Sequence, residues 1–407
     1  MGKGKDRIKR SVIINDIEDG GLNAPHIMSF CRSLKLTWIK KLINDNDFSS
    51  WKMLILDRIN KIGGNLIFHY DSKLVSKFTG NLNPFWQSVL KSWHSLPKEP
   101  ATDCNSILRE TIWYNSRILV NGKAVFYKQW YDGGIWYIND LVNENGKFLS
   151  YKEFLEIYNI KETFLGFQGI KDAIPREWKQ ILTNQEIHKE DLYFKYFIQL
   201  SNLKKPSKHF YNILKGTHST VPKKSQDKWL LDIPTLEIHN WEDVYSLTKY
   251  ITKDTKLQVF QYQILHRYLV TNSKLYMYGK KDHNRCTFCD SDKESILHLF
   301  WECTKVYHLW KELVNWLQNI ANIKLIVNVE NIITGVLPRE DNMIPNIVIL
   351  IIKRYIYVSR CRNAPLSNKG AIEYLKHYIL IEKFAFPDKW YKKWGEVGPI
   401  LASYQVL

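Results

Sequence analysis

Residues 285–303 read RCTFCDSDKESILHLFWEC and bring together four soft metal ligands, Cys286, Cys289, His298 and Cys303. Their spacing is Cys-x2-Cys-x8-His-x4-Cys. Three thiolates and one imidazole fill the tetrahedral coordination of Zn²⁺ and leave no open position for a substrate water. The segment therefore predicts one structural zinc ion and no chemistry at that ion.

Two other interpretations of these residues stay open at the level of sequence. Three buried cysteines and a core histidine would be ordinary in a reducing compartment, and paired cysteines could form disulfides. The disulfide interpretation is the weaker one, because the other three cysteines of the chain are single and far apart. We expect Cys31, Cys104 and Cys361 to be thiols in hydrophobic cores.

The residues between the ligands predict local structure. Residues 285–290 would form the loop that carries the first two thiolates. Ser291 followed by Glu294 is typical of a capping box, so a helix carrying His298 should start at Ser291. His298 and Cys303 are about 500° apart around an ideal helix and cannot share a face. That helix should therefore end near Cys303.

A second helix is predicted after the last ligand. Thr304 is a suitable N-cap residue. The apolar residues that follow recur at the spacing of one helix face. They are Val306, Leu309, Trp310, Leu313, Val314 and Leu317.

Composition favours a folded, basic protein. The 407 residues suggest about two to four domains, and the hydrophobic fraction of 45% is enough for real cores. Lys and Arg number 58 against 41 Asp and Glu, a formal net charge of +17. A polyanionic partner is expected, with nucleic acid favoured over an anionic membrane surface.

No part of the sequence predicts membrane attachment. The first ten residues, MGKGKDRIKR, are basic but precede no apolar run, so a secretory signal is not expected. Asp6 does not fit the myristoylation pattern. The longest aliphatic run, Ile347 to Ile352, is far shorter than the roughly 20 residues that span a bilayer. We expect a soluble, intracellular protein without a membrane partner.

The remaining sequence predicts a mainly α fold with one small β-hairpin. An amphipathic basic helix is expected within residues 20–60. Asn121-Gly122 lies between short β-prone runs and predicts a hairpin near residues 118–127. Helical spacing within 150–200 breaks at Pro175. Lysine-rich residues 201–229 favour a linker, and residues 321–407 favour further helices.

A basic stretch precedes the first zinc ligand. Residues 255–270 predict a helix with one apolar stripe and cations on its other side. A solvated helix face would also explain such charges, but their convergence on a zinc module favours nucleic-acid binding. The candidate contacts are Lys253, Lys256, His266, Arg267, Lys274, Lys280, Lys281 and Arg285.

Several blocks, in this order, resemble the C-terminal part of the reverse transcriptase polyprotein of LINE-type, non-LTR retrotransposons. The zinc segment through Trp310 is similar to the reverse-transcriptase zinc-binding domain of that family. The other blocks are Gly20-Gly21-Leu22-x2-Pro25 with Trp38, Trp113-Tyr114-Asn115, Gly134-Ile135-x2-Ile138-x-Asp140-Leu141, Ala173-Ile174-Pro175-x2-Trp178, Thr252 to Gln258, and Ile264 to Arg267.

The resemblance implies a domain order. Residues 1–80 would be a thumb-like helical segment and 81–200 a connector containing the hairpin. A basic linker, 201–229, would lead to a helical block with the CCHC zinc module (286–303) over 230–320. Residues 321–407 would form a C-terminal helical region.

The resemblance also implies a role. Such a region would bind template RNA or target DNA, within a nuclear or cytoplasmic ribonucleoprotein, beside an upstream polymerase domain. No Tyr-x-Asp-Asp motif for paired Mg²⁺ ions occurs in the sequence, so we expect no catalytic centre and no enzyme activity. The alternative is a decayed or host-recruited remnant whose zinc module stabilises a protein-interaction scaffold.

Overall fold

The computed structural model describes residues 7–44, 48–70, 79–97, 101–183, 202–291, 293–338 and 342–404. The chain divides into two compact units. The N-terminal unit is Pro25–His218, and the C-terminal unit combines Met1–Ala24 with Ser219–Leu407. Each has its own hydrophobic core. The fold is mainly helical with one two-stranded sheet, as predicted. Within the described ranges, no helix combines the length and hydrophobicity needed to cross a bilayer.

The N-terminal unit is an assembly of short helices around a tryptophan-rich core. Its α-helices are Ile27–Leu42, Ser50–Asn60, Pro84–Trp93, Cys104–Leu108, Lys128–Asp132, Tyr151–Tyr158, Phe164–Ala173, Arg176–Leu182 and Pro206–Gly216. Its 3₁₀ helices are Gly64–Phe68, Thr79–Asn81 and Ile138–Leu141.

Two local predictions are confirmed in this unit. Strands Leu119–Val120 and Lys123–Ala124 pair antiparallel around Asn121 and Gly122. Both turn residues have positive φ, 52° and 73°, which is the conformation of a type I′ hairpin turn. Pro175 separates the helix ending at Ala173 from the helix starting at Arg176, because proline disfavours a helical residue before it.

The expected linker at 201–229 contains two helices. Pro206–Gly216 packs against Ile27–Leu42 and buries Phe210 and Leu214. The helix Lys223–Asp232 buries Trp229. Most lysines of this stretch are exposed, whereas Lys215 is buried beside Phe210 and Leu214. A few large apolar residues hold the two helices in place. The expected domain limits at 80, 200, 229 and 320 stay predictions.

The C-terminal unit contains helices and one isolated β-bridge, Arg285 with Lys293, as its described secondary structure. Its α-helices are Arg10–Ile13, Lys223–Asp232, Trp241–Ile251, Thr255–Leu265, Asn272–Met277, Thr304–Ala321, Val329–Thr334, Met343–Arg362, Asn368–Ala385, Pro387–Trp394 and Val397–Ser403. A 3₁₀ helix spans Pro234–Ile238, and a π-helical turn spans His298–Glu302.

The central element of this unit is Met343–Arg362, which contacts four other α-helices and the π-helical turn. Residues 347–352 are buried without interruption. The buried face includes two cations, Lys353 and Arg360. Lys353 donates to the Gln261 side chain at 2.7 Å and to the Ile332 carbonyl at 2.6 Å. Lys353 therefore has two hydrogen-bond acceptors although it lies in the core, and burial lowers its pKa to about 7.

Candidate metal centre

The four predicted ligands converge on one point of the C-terminal unit. One donor atom from each of Cys286, Cys289, His298 and Cys303 lies within 4.8 Å of the others. The Sγ atoms of Cys286 and Cys303 are 3.8 Å apart. Cys289 Sγ lies 3.4 Å from His298 Nε2. Cys286, His298 and Cys303 are buried, while Cys289 is half-buried.

These distances match a tetrahedral zinc site. Zn–S bonds of about 2.3 Å and a Zn–N bond of about 2.0–2.1 Å put two sulfurs about 3.8 Å apart and a sulfur and a nitrogen about 3.6 Å apart. Four soft donors at such distances, with two thiols against each other in a buried site, fit a single structural Zn²⁺. The site is closed by protein ligands, so its role is to hold the local fold.

The loop that carries the first two cysteines is held by short-range backbone contacts. Asp290 N–H donates to the Cys286 carbonyl at 3.0 Å, and Asp290 has a left-handed φ of 54°. Phe288 N–H points at Cys286 Sγ at 3.4 Å. A β-bridge between Arg285 and Lys293 closes the loop. The loop therefore directs the sulfurs of Cys286 and Cys289 to the same side. We call this loop, residues 285–291, the knuckle.

The helix that carries His298 starts later than predicted. Glu294 is fully buried and caps nothing at Ser291. Ser295 is the cap residue instead, since its hydroxyl accepts from the His298 N–H at 2.9 Å. The capping-box prediction is wrong because a tertiary partner, Arg360, takes the Glu294 carboxylate.

A π-helical turn allows His298 and Cys303, which are five residues apart, to reach the same site. The Cys303 N–H donates to the His298 carbonyl at 3.0 Å, an i to i+5 bond. Such a turn is wider than an α-helical turn and brings residues five apart to nearly the same side. The helix ends at Cys303, as predicted. The geometry allows His298 and Cys303 to bind one ion.

Cys303 also begins the next helix, Thr304–Ala321. The predicted helix is confirmed, although Cys303, and not Thr304, is the N-cap residue. The hydrogen bond from the Cys286 thiol lowers the pKa of Cys303, and the backbone N–H groups of Lys305 and Val306 lower it further. The same thiol–thiol bond raises the pKa of Cys286. Because the thiolate is the ligand form, this helix start favours metal binding at Cys303.

A buried carboxylate connects the knuckle to the rest of the unit. Glu294 accepts from the Arg360 Nε at 2.9 Å and from the Asn272 N–H at 2.8 Å. Its second oxygen accepts from the Thr287 N–H at 2.9 Å and the Thr287 hydroxyl at 2.8 Å. Arg360 also donates to Asn272 Oδ1 at 2.6 Å. The knuckle loop is thus tied to two helices through one charged, fully hydrogen-bonded group.

Sequence reasoning missed this network. Glu294 was assigned to a helix cap, and its partner Arg360 lies 66 residues away along the chain. The available signal was Arg360 itself. An arginine on the buried side of a long apolar helix stays charged and needs acceptors in the core, and a carboxylate is the strongest of these.

Three of the predicted nucleic-acid contacts have internal roles. His266 is buried, and burial lowers its pKa to about 4. Arg267 forms a 2.5 Å ion pair with Asp232 and lies over the Trp229 ring at 4.1 Å. Lys274 donates to the Arg267 carbonyl, and burial lowers its pKa to about 8. Arg267 has a left-handed φ of 56°, which is why the preceding helix ends at Leu265 rather than at Val270.

The other five candidates are accessible. Lys253, Lys256, Lys280 and Arg285 are exposed, and Lys281 is half-buried. Arg285 forms a loose surface pair with Asp290 at 3.5 Å. The four lysines form no ion pair with any residue in the described ranges. The nucleic-acid contacts of all eight residues stay a prediction.

The cysteines outside the cluster differ from their expected placement. All six cysteines lie in the described ranges, and none forms a disulfide. Cys104 is buried as predicted, whereas Cys31 and Cys361 are exposed. Cys31 lies on the solvent side of Ile27–Leu42 and Cys361 in the last turn of Met343–Arg362.

Comparison with known proteins agrees with this geometry. No curated protein matches the chain significantly. Residues 207–310, about a quarter of the chain, match the family described as zinc-binding in reverse transcriptase. The matched segment starts before the predicted limit at residue 230 and includes all four ligands. The chain therefore contains a segment similar to the zinc-binding domain associated with reverse transcriptases.

Proposed function

We propose that this chain is a nucleic-acid-binding, zinc-stabilised region of a reverse transcriptase from a LINE-type retrotransposon. In the complete protein it would lie on the C-terminal side of the polymerase domain, within a nuclear or cytoplasmic ribonucleoprotein. It would grip template RNA or target DNA without a catalytic centre of its own. The family match at residues 207–310 and the closed zinc site support the zinc-binding part of this proposal.

The observation that carries the nucleic-acid part is a set of lysines without carboxylate partners. Lys253, Lys256, Lys280 and Lys281 form no ion pair within the described ranges, in a chain of net charge +17. Arg285 adds a fifth cation, whose surface pair with Asp290 is weak. Five such groups are suited to neutralise phosphates and release counterions, which gives affinity with little sequence readout.

Salt dependence of binding tests the proposal. If about five phosphates are neutralised, the slope of log K against log salt is about −3.5 for single strands and −4.5 for duplex DNA. Between 50 and 200 mM salt, affinity then falls on the order of 10² to 10³-fold. Fluorescence anisotropy with labelled RNA and DNA, titrated over this salt range, measures both quantities.

A matched pair of double variants separates a local surface from net charge. Lys280→Glu with Lys281→Glu should weaken binding to every sequence and make the salt slope shallower. Lys389→Glu with Lys392→Glu changes net charge equally, on an exposed part of the helix Pro387–Trp394. This control should change affinity much less. Equal effects of the two double variants would contradict the proposal and favour a protein-interaction scaffold.

The absence of a catalytic centre has a separate test. Primer extension and strand nicking by the purified chain, with Mg²⁺ or Mn²⁺, should remain at background. Metal-dependent nucleotide incorporation that follows the 48.3 kDa chain through purification would contradict this part of the proposal.

A further inference from the structure

Two tyrosines next to the knuckle have exposed rings. Tyr276 is 52% exposed and Tyr278 is 51% exposed. Neither ring stacks on an aromatic group or a cation among the described residues. This differs from the general pattern of the chain, in which most large aromatic side chains lie in one of the two cores.

The backbone that carries both tyrosines has a defined conformation. Tyr276 lies in the last turn of the helix Asn272–Met277, and Tyr278 is its C-cap residue. Gly279 has a left-handed φ of 64°. The Gly279 N–H donates to the Tyr276 carbonyl at 2.9 Å, and the Lys280 N–H donates to the Leu275 carbonyl at 2.8 Å. These two bonds are the Schellman motif, which fixes the end of a helix.

The other end of the same helix is tied to the knuckle. Asn272 is 1% exposed and donates to the Arg285 carbonyl at 2.7 Å. It also bonds the Glu294 carboxylate, which bonds Thr287 in the knuckle loop. The tyrosines are therefore presented by a short helix that is anchored to the zinc module.

A cleft lies beside this turn. Its volume is about 830 Å³, and Lys281 and His283 line one part of it. Lys305 and His308, from the helix after the last ligand, line another part. Asp290 and Glu312 also reach it, so its lining carries both signs of charge. Lys281 is three residues after Tyr278, at most about 11 Å of extended chain away.

We propose that Tyr276 and Tyr278, two positions apart and so not on one helix face, are a stacking platform in which each ring takes a separate unpaired base. The strand would continue past Lys280 and Lys281 into this cleft. The ligand is single-stranded nucleic acid. This inference rests on the proposed nucleic-acid function and specifies its substrate class. Exposed aromatic rings stack on any base, but only where the face of that base is free. In a duplex only the two terminal base pairs have a free face.

The experiment compares single-stranded and duplex probes on the full chain. Anisotropy is measured with about 16-nucleotide single-stranded RNA and DNA, the matching blunt duplexes, and an abasic strand of the same length. Tyr276→Leu with Tyr278→Leu should bind both single strands on the order of 10-fold or more weakly. Its affinity for the duplexes should stay within about twofold, because phosphate contacts remain.

Three controls make the result specific. Tyr276→Phe with Tyr278→Phe keeps the ring faces and should retain single-strand affinity. Tyr391→Leu removes another exposed ring, 59% accessible, and should change nothing. The abasic strand should bind the wild-type chain and the double leucine variant equally. Zinc content, measured for each variant, should stay at that of the wild type.

The outcomes distinguish this inference from the function on which it rests. A loss of affinity confined to single-stranded RNA or to single-stranded DNA supports stacking and shows which of the two is the ligand. Unchanged single-strand affinity, or equal losses for single strands and duplexes, overturns the stacking platform. Either result leaves the lysine charge-reversal test unaffected, and failure of that test would count against the proposed function itself.

Discussion

Cys303 combines metal binding with a structural role at the junction of two helices. It is fully buried, it supplies a sulfur to the cluster, and it is the residue at which one helix ends and another begins. Hydrogen bonds at the start of the second helix favour its thiolate. A serine in this place would keep the size of the side chain but would lose the soft anionic ligand.

Cys303→Ser should therefore release the metal. Elemental analysis of the purified wild type should give about one zinc per chain, in keeping with a single closed site, and the variant should give close to none. Cys31→Ser removes an exposed thiol and Cys104→Ser a buried thiol in the other unit, so both should retain zinc. Full zinc content in Cys303→Ser would refute the ligand assignment.

Arg360 is the second residue on which the centre depends. It is the only charged donor that reaches the buried Glu294 carboxylate among the described residues. Without it, a carboxylate with no surface exposure would keep only neutral partners. Removing one member of a buried pair typically costs about 3–5 kcal/mol, because the other charge stays buried.

Arg360→Met should lower the free energy of unfolding by about that amount, measured with denaturant. Arg354→Met is the matched control on the same helix. Arg354 is half-buried and lies over the Phe260 ring at 5.1 Å, so its loss should cost only about 0.5–1 kcal/mol. Equal destabilisation by both changes would show that Glu294 does not depend on its partner.

At the scale of elements, patterns local in sequence predicted more than patterns that depend on distant partners. The ligand spacing, the helix end at Cys303, the helix that follows and the Asn121-Gly122 turn are confirmed, since each depends on neighbouring residues. Glu294 was misassigned, and the two helices in the stretch 201–229 were not predicted. In both cases contacts with residues far along the chain decide the conformation.

The sequence predicted the exposed basic residues only in part. It shows where lysine and arginine occur, but it does not show whether their side chains lie in solvent or pack against the protein. Arg267 stacks on Trp229, and Lys274 turns back to a carbonyl. Tyr276 and Tyr278, in contrast, did not stand out, because helical spacing does not reveal that their rings are half exposed and stack on no ring or cation in the described ranges.

The Schellman turn after Asn272–Met277 gives an element-scale prediction. Gly279 needs a left-handed φ of 64°, and its missing Cβ would meet no neighbour within 4 Å. Gly279→Ala should thus destabilise by about 1–2 kcal/mol through backbone strain alone. Gly216→Ala, at the end of the helix Pro206–Gly216, also meets open space but needs no positive φ.

The control variant Gly216→Ala should leave the stability unchanged or raise it, since alanine favours a helix over glycine by up to about 1 kcal/mol. Denaturant unfolding of the two variants, each against the wild type, provides the measurement. A stability of Gly279→Ala equal to or above that of the wild type would contradict the turn geometry and, with it, the fixed placement of the tyrosines.

At the scale of the whole molecule, two separate cores predict two responses to metal removal. The core of the N-terminal unit extends from Leu36 to Leu214 and contains none of the zinc ligands. The core of the C-terminal unit includes Cys286 and Cys303 among its buried members. Binding of structural zinc contributes about 10–16 kcal/mol to the folding free energy of small zinc modules. Its loss should therefore destabilise the unit whose core includes the ligands.

Treatment with a strong zinc chelator should therefore raise amide hydrogen exchange in peptides covering residues 284–303 and the helices packed on them, Asn272–Met277 and Thr304–Ala321. Peptides within Pro25–His218 should exchange at their original rates, because their core does not include the metal. Cys303→Ser should give the same exchange map without chelator, and restoring Zn²⁺ to the wild type should reverse the change. A uniform increase across both units would mean that the chain unfolds as one cooperative body, and no increase near the knuckle would mean that the buried core alone, without zinc, holds the four ligands in place.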